Sequence, residues 1–442
     1  MIQAVRNAMT LPDLRRKLLY TLLILIVYRL ASHVPVPGVN QEVLQQVLGG
    51  QGGVSQFLNF IDLLSGGAMA NFSVMASGVS PYINASIIFT LLVPIIPQLE
   101  RLSEEGEAGR RKINQLQYYI TIPLAMLQAF GQARIFSAGT GGQPILSNFG
   151  FTPAENILPT ISVLVAMTAG TMFAVWLGDL ISEQGIGNGL SLIIFSGIVA
   201  RMPQNLLNIW TRATVEGAIG SGVLMVGVFL LIMLITMFVI VVIQEAERRV
   251  PVQYGKRVRG IKMYQGSSTH IPLRINTAGM IPLIFAQSIL TFPAVVAQFF
   301  INSERMGDLA LKVMNIFTGQ SAWYGPLQFL AVVGFTYFYT DVMVQQQDLP
   351  GVLKRQGGFI PGVRPGKRTE DYINSIYRRI TLVGALFLGG IASLPYIVDL
   401  FLGTQVLLIN SVGLLIAVGV ILDTMRQLEA QLLMRHYEGF IK

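Results

Sequence analysis

The chain has 442 residues, of which 52% are hydrophobic and 12% charged, with a mean hydropathy of +0.58 and a formal net charge of +8. Soluble globular proteins carry about 25% charged residues, so this composition excludes that class and points to a polytopic membrane protein. Cysteine is absent, which excludes disulfides and thiolate chemistry. The opening stretch MIQAVRNAMTLPDLRRKLLY is amphipathic and basic and leads into a full-length span without a small-residue cleavage site. No cleavable signal peptide is expected there.

Ten membrane spans are predicted, at 18–34, 79–97, 117–135, 157–179, 189–208, 223–244, 275–299, 326–346, 378–398 and 405–425. The third is diluted by Gln117, Thr121 and Gln128, and the ninth is rich in glycine. Basic residues sort strongly by side. Arg6, Arg15, Arg16 and Lys17 precede the first span, and Arg101, Arg110, Arg111 and Lys112 follow the second. Arg248, Arg249, Lys256, Arg257, Arg259, Lys262 and Arg274 follow the sixth. Lys354, Arg355, Arg364, Lys367, Arg368, Arg378 and Arg379 follow the eighth, and Arg426, Arg435 and Lys442 close the chain. Of the 31 Lys and Arg residues, only Arg29, Arg134, Arg201, Arg212, Arg305 and Lys312 fall elsewhere. Positive charge collects on the cytoplasmic side, which places both termini there.

The chain divides at an external loop near 201–222, leaving five spans in residues 1–211 and five in 212–442. An odd number of spans per half forces the halves into opposite orientations, the arithmetic of an inverted repeat. No residue-level identity joins them, so the repeat is read from topology. The expected fold class is an all-α polytopic membrane protein.

Residues 57–97 form a strongly apolar run too long for one span and broken by Gly66, Gly67, Ser77, Gly78, Ser80 and Pro81. It reads as a short amphipathic helix over about 61–72, a flexible joint, and a span over about 79–96. Asp62, Ser65, Asn71 and Ser73 should keep the short helix away from lipid. Irregular backbone at membrane depth survives only inside protein or beside a watery cavity, so the break points to a pathway. A surface helix in an external loop is the plainer alternative.

Ionisable residues inside the spans are few: Arg29 in the first, Asp179 ending the fourth, Asp341 and Asp423 near cytoplasmic ends, with Asp399 external. Ion-coupled carriers hold a carboxylate, His or Lys near the midplane, and none of His33, His270 and His436 is placed for that or clustered as a metal ligand. GIGNG at 185–189 precedes a span and lacks the third glycine of a dinucleotide loop; a tight cytoplasmic turn suits it better. GVRPGKRT at 362–369 has Arg368 where a phosphate loop needs Ser or Thr. No catalytic constellation is present, so no enzyme activity, metal or cofactor is expected, and energy must come from a partner.

Loops 245–274 and 347–377 mix Arg with Gly, Tyr, Phe and Pro, as in VPVQYGKRVRGIKMYQG and KRQGGFIPGVRPGKRTEDYI. That pattern suits docking of a large anionic partner such as ribosomal RNA or an acidic protein surface. Plain topology and contact with anionic lipid are the alternatives.

In the second span Ile83 and Ile87 are four residues apart and share a helix face. Leu190 and Ile194 repeat that spacing in the fifth span, the seventh offers Ile281 and Ile284, and the tenth offers Ile416. Such pairs are ordinarily core packing. Were these four helices to surround one axis, their branched side chains would make an apolar collar that gates by dewetting.

At these residues the sequence resembles the SecY family, the channel subunits of the bacterial Sec translocon. The resemblance runs nearly end to end through GVSPYINASII, GIGNGLSLIIF, STHIPLRINTAGMIPLIFA, GFIPGVRPGKRTEDYI and QLEAQLLMRHYEGF. It implies a ten-helix clamshell around a central pore, hinged between spans five and six. Such a channel translocates unfolded preproteins across the bacterial cytoplasmic membrane and releases hydrophobic segments into lipid. The pore ring would fall on Ile83, Ile87, Leu190, Ile194, Ile281 or Ile284, and Ile416. Leu190 stands where isoleucine is commoner in the family, a change that keeps the volume. The plug would be Ile61, Asp62, Leu63, Leu64, Ser65, Gly66, Gly67, Ala68, Met69, Ala70, Asn71 and Phe72. A lateral gate of spans two and three against seven and eight would carry Asn84, Ser86, Gln128, Gln287 and Ser288. The resemblance also implies partners: SecE, SecG, the motor ATPase SecA, the ribosome, signal sequences and nascent preproteins, and membrane lipid. Docking of the cytosolic partners would use Arg248, Arg249, Lys256, Arg257, Arg259 and Arg364. Rival classes are a secondary transporter, disfavoured by the missing midplane charges, and a scaffold or insertase without a through-pore.

Overall fold

A computed structural model describes residues 10–40, 42–44, 68–69, 71–138, 146, 149–150, 157–216, 219–254, 257–259, 262–264, 268–298, 300, 306–317, 321, 323–402 and 411–441. The described chain is mostly helical and forms two compact units. The first comprises residues 1–226, 291–324 and 416–442, the second 227–290 and 325–415.

In the first unit α1 (Pro12–Ala31) opens with Pro12 in its first turn beside Asp13 and carries Arg29 in its last turn, an arrangement that suits both the free backbone groups and the helix dipole. α2 (Ser80–Leu92) starts at a Ser-Pro pair and stops where VPIIP begins. Pro94 and Pro97 lack the N–H that a continuing helix would use, and the chain breaks at 93–96 and restarts as α3 (Pro97–Glu104), bent 99° from α2. The expected span 79–97 is therefore shorter than its apolar run. α4 (Glu107–Ala138) carries Pro123 inside it, and α5 (Ile157–Gln184) and α6 (Gly189–Glu216) complete a packed group in which α4 lies on α2 and α5, and α5 on α1 and α6. The connection expected over 201–222 is largely helical, because α6 runs to Glu216 and α7 (Ile219–Glu245) begins three residues later.

The second unit holds the main departure from the all-α expectation. After α7 the chain enters β1 (Glu247–Tyr254), a short β2–β3 ribbon (Arg257–Arg259, Lys262–Tyr264) and β4 (Ser268–Arg274). β1 pairs antiparallel with β4, from Glu247 opposite Arg274 to Gln253 opposite Ser268. Alternating Val250, Val252 and Tyr254 give β1 one apolar face, which a strand can bury and a helix cannot. Along the rest of the chain come α8 (Ile281–Gln298), α9 (Gly307–Phe317), α10 (Tyr324–Gln347), α11 (Leu349–Gln356), β5 (Gly358–Phe359), α12 (Lys367–Leu402) and α13 (Ser411–Ile441), of which α9 and most of α13 belong to the first unit.

Each of the ten predicted spans overlaps a described helix. Among the described residues, four helical stretches are long and apolar enough to cross a membrane, five if the bent α2–α3 pair is one span.

Candidate functional site

The apolar stretch 57–97 divides unevenly between described and undescribed residues. Ile61, Asp62, Leu63, Leu64, Ser65, Gly66, Gly67 and Ala70 lie outside the described residues. The described end of the expected short helix, Ala68, Met69, Asn71 and Phe72, is turn rather than helix. Its N–H groups close tight local bonds, Phe72 to the Met69 carbonyl at 2.9 Å and Ser73 to the Ala68 carbonyl at 2.9 Å. Phe72 is fully buried with a positive φ of 40°, a backbone state that a bulky residue holds only when its surroundings impose it.

Those surroundings are explicit. The Phe72 carbonyl accepts the Val36 N–H at 3.0 Å, and the Val74 N–H donates to the Val34 carbonyl at 3.0 Å. Met69, Phe72 and Ala76 share one apolar cluster with Ala129 and Ala133 of α4 and Val163 and Met167 of α5. The Ser77 hydroxyl donates to Gln132 Oε1 at 3.0 Å in a buried bond. At Gly170 of α5 a Cβ would run into the Val74 carbonyl, so only glycine lets that backbone approach. The joint expected to be flexible is thus buried and hydrogen-bonded within the first unit. Ser73 and Ser77 there make hydrogen bonds, and Gly78 takes a positive φ of 52°.

The collar candidates separate by burial. Ile87 and Ile194 are each 4% exposed and Ile416 1%, while Ile83, Leu190 and Ile284 are half-buried and Ile281, the first residue of α8, is 37% exposed. Leu190 lies against Gly178 of α5, its Cδ2 filling the space a side chain there would need. Ile83, Ile87, Leu190, Ile194 and Ile416 belong to the first unit, Ile281 and Ile284 to the second.

Polar residues assigned to the seam are also distinct. Asn84 is half-buried and its Oδ1 has no hydrogen-bond partner. The Ser86 carbonyl accepts the Thr90 hydroxyl at 2.8 Å; Gln128 and Ser288 are half-buried. Gln287 is buried and accepts from Gln328 Nε2 at 2.9 Å. Neither Gln132 nor Gln328 is singled out by the sequence reading. A glutamine four residues after Gln128, and one inside the apolar run of α10, were the available signals.

GIGNG is a turn buried against the first and last helices. The Ile186 N–H donates to Thr21 Oγ1 at 3.2 Å, and Ile186 packs with Leu14 and Leu428. Within GVRPGKRT the Thr369 hydroxyl donates to the Arg364 carbonyl at 3.0 Å, which makes it a lead-in to α12.

The two basic loops, read separately in the sequence, meet in one structure. β5 adds to β1 to give the sheet order β4-β1-β5, with Gln253 opposite Phe359 and Tyr254 opposite Gly358. Beneath it Val250, Val252, Leu273, Leu353, Ile360, Ile373 and Tyr377 form one apolar cluster. Asp348 caps α11 by accepting the Gly351 N–H at 3.0 Å. Arg248, Arg249 and Arg364 are exposed, and Arg249 Nε donates to Glu247 Oε1 at 2.8 Å. Lys256 lies outside the described residues, and Arg257 and Arg259 stand on β2 opposite Tyr264 and Lys262. The platform is held from beneath by apolar packing and presents guanidinium groups to solvent.

A family model described as SecY matches residues 73–425. The protein translocase subunit SecY of Halalkalibacterium halodurans is 42% identical over 449 residues, with both chains covered completely. That of Streptomyces galbus is 40% identical over 450 residues, again with complete coverage. The Thermus thermophilus protein of the same description is 41% identical, covering 100% of this chain and 98% of its own. Among solved structures, one described as a protein conducting channel superposes with a TM-score of 0.61 at 17% identity, covering 94% of this chain and 91% of that one. A SecY structure whose plug domain is described as stabilising the closed state gives a TM-score of 0.62 at 16% identity over the same shares. These two likenesses speak to the fold.

Proposed function

This chain belongs to the SecY family of protein translocase subunits, and from that membership we propose how its residues work as a protein-conducting channel. It is a channel subunit and not a catalyst. The observation that carries the reading is the buried break at 71–78, where non-helical backbone lies inside the first unit beside the collar helix α2. Backbone of that kind in a membrane protein is tolerated only where protein or a water-filled path satisfies it.

Ten helices in two inverted halves, 1–211 and 212–442, would enclose the path. Ile83, Ile87, Leu190, Ile194, Ile284 or Ile281, and Ile416 form the apolar ring, which blocks ions because they lose hydration there without compensation. Residues 61–72 form the plug, anchored at its later end by the turn at Phe72. A signal sequence, itself an apolar helix, wedges between α2 and α8 past Asn84, Ser86, Gln128, Gln287 and Ser288, and its passage into lipid supplies the opening energy. The exposed arginines of the β4-β1-β5 platform, with Arg364 beside it, dock an anionic partner, for which the motor ATPase SecA and the ribosome are the candidates. A solved Sec61 from a canine ribosome–channel complex shares the fold at a TM-score of 0.58 and 17% identity. SecE and SecG complete the complex in the bacterial cytoplasmic membrane, with both termini cytoplasmic.

The test is ion conductance of the reconstituted complex carrying Ile87→Ser and Ile194→Ser. Leak should rise above that of the parent, and deletion of 62–71 should add flickering openings. An unchanged leak in both variants would remove the ring and the plug together.

A further inference from the structure

Asp179 is an ionisable group in an apolar helix that the channel reading leaves unused. It lies at the edge of a cleft of about 350 Å³ on the first unit, between α4 and α5, with Tyr118, Met172, Trp176, Leu180 and Glu183 among its other lining residues. The Tyr118 hydroxyl donates to Asp179 Oδ2 at 2.6 Å, and the Tyr82 ring packs on Tyr118 with centroids 5.5 Å apart. One carboxylate oxygen is thereby held, and the group is fixed in place. Glu183 stands one helical turn further on and is exposed.

The cleft opens onto a surface of particular composition. Along α5, Leu158, Ile161, Val165, Phe173 and Trp176 are exposed at helical spacing, an apolar stripe of the kind that faces acyl chains. Phe173 stacks on Trp176 with centroids 5.7 Å apart. α5 ends at Gln184, so at 1.5 Å per residue Asp179 lies roughly 8 Å and Trp176 roughly 12 Å from the helix end. That is where tryptophan collects at membrane–water interfaces. No Lys or Arg is among the residues lining the cleft, although the whole chain carries a net charge of +8.

A site with an acyl-facing stripe on the inner side and two carboxylates at the rim selects by chemistry. Anionic headgroups are repelled. A quaternary ammonium satisfies Trp176 through the ring face but offers no N–H to the carboxylates. A primary ammonium offers three, and charge-assisted bonds of that kind are the strong ones. Its place in a phospholipid, outward of the phosphate and chains, matches the order along α5: stripe, Trp176, Asp179, Glu183. We propose that this cleft binds the primary-ammonium headgroup of a zwitterionic glycerophospholipid, with Asp179 and Glu183 accepting its N–H groups and Trp176 beside its acyl chains. The inference rests on membrane embedding and is independent of the ring and plug.

Trp176, Trp210 and Trp323 are the 3 tryptophans of the chain. Replacing Trp210 and Trp323 by Phe, in the complex with tryptophan-free partner subunits, makes Trp176 the reporter. That complex is reconstituted into phosphatidylcholine vesicles containing brominated phosphatidylethanolamine, and into the reverse mixture. Quenching should give a relative binding constant favouring phosphatidylethanolamine by roughly two- to fivefold, the scale of an interfacial charged contact. In Asp179→Asn/Glu183→Gln it should fall to about one. Glu183→Gln alone, at an exposed position that spares the Tyr118–Asp179 bond, should lose part of the preference and keep the parent melting temperature. Equal constants in the parent, or a preference unchanged in the double variant, would overturn the proposal. So would absence of quenching by either lipid, because Trp176 would then be covered by a partner subunit.

Discussion

The turn at 71–78 and the sheet β4-β1-β5 are both non-helical chain joined to apolar helices, yet they satisfy their backbone by opposite means. At the turn, the Phe72 carbonyl accepts the N–H of Val36 from a neighbouring loop, the Val74 N–H donates to the Val34 carbonyl of that loop, and the Ser73 hydroxyl accepts the Met75 N–H. Ser73 and Ser77 are buried almost completely. In the sheet the strand ladder does the same work internally, and polar side chains alternate outward while Val250 and Val252 face the cluster below. The difference teaches where each can be altered. The turn depends on close approach and tolerates no added volume; the sheet depends on an apolar patch and tolerates surface change.

The largest effect is expected at Gly170. Gly170→Val sets a branched side chain against the Val74 carbonyl, and overpacking of this kind should destabilise the first unit by about 3 kcal/mol or more. Intrinsic tryptophan fluorescence on heating should show a clearly lowered midpoint, whereas Gly390→Ala, where a Cβ meets nothing within 4 Å, should leave it unchanged. Equal midpoints for both would mean the turn yields readily.

Leu353→Ala tests the sheet. Leu353 is buried at 4% exposure in the cluster under β1, and truncation should cost about 2–3 kcal/mol, the lower part of the usual range because a small surface cluster can collapse on the gap. Hydrogen exchange should quicken in β1 and β4 while α4 and α5 keep their protection. Loss of protection in both places would show that the two regions share their stability.

A smaller effect belongs to Ser77→Ala, which strips Gln132 Oε1 of its buried donor when Nε2 already lacks a partner. About 1–2 kcal/mol should be lost, and adding Gln132→Leu should return most of it in a double-mutant cycle. Additive losses would mean the hydrogen bond is not what holds the two groups.

The smallest is Arg249→Gln. Its ion pair with Glu247 is solvent-exposed on the Arg side at 72%, so stability should change by less than about 1 kcal/mol. Binding of an anionic partner, measured against salt concentration, should still weaken if the platform is a docking surface.

Much of the fold was legible in linear patterns. Long apolar runs separated by charged loops located a helix at each predicted span, and the hydrophobic effect makes that signal strong. Basic loops were legible as a pair of unusual segments. Their strands were not, although V-P-V-Q-Y and H-I-P-L alternate at period two; arginine and glycine masked a short signal. The reading of the segment between 72 and 79 as a flexible joint failed for a different reason. Glycine and serine permit both flexibility and tight approach, and only the partner surface, here Gly170 and Gln132, decides between them.

Composition and span pattern therefore determined by themselves that this is a polytopic membrane protein, because transfer of apolar and charged groups between water and lipid depends on each segment separately. The tertiary structure alone decided that the broken stretch ends in a buried clamp, that two loops about a hundred residues apart in sequence share one sheet, and that Tyr118 secures Asp179 beside a cleft. Those outcomes rest on contacts between distant residues, whose energy no local pattern contains.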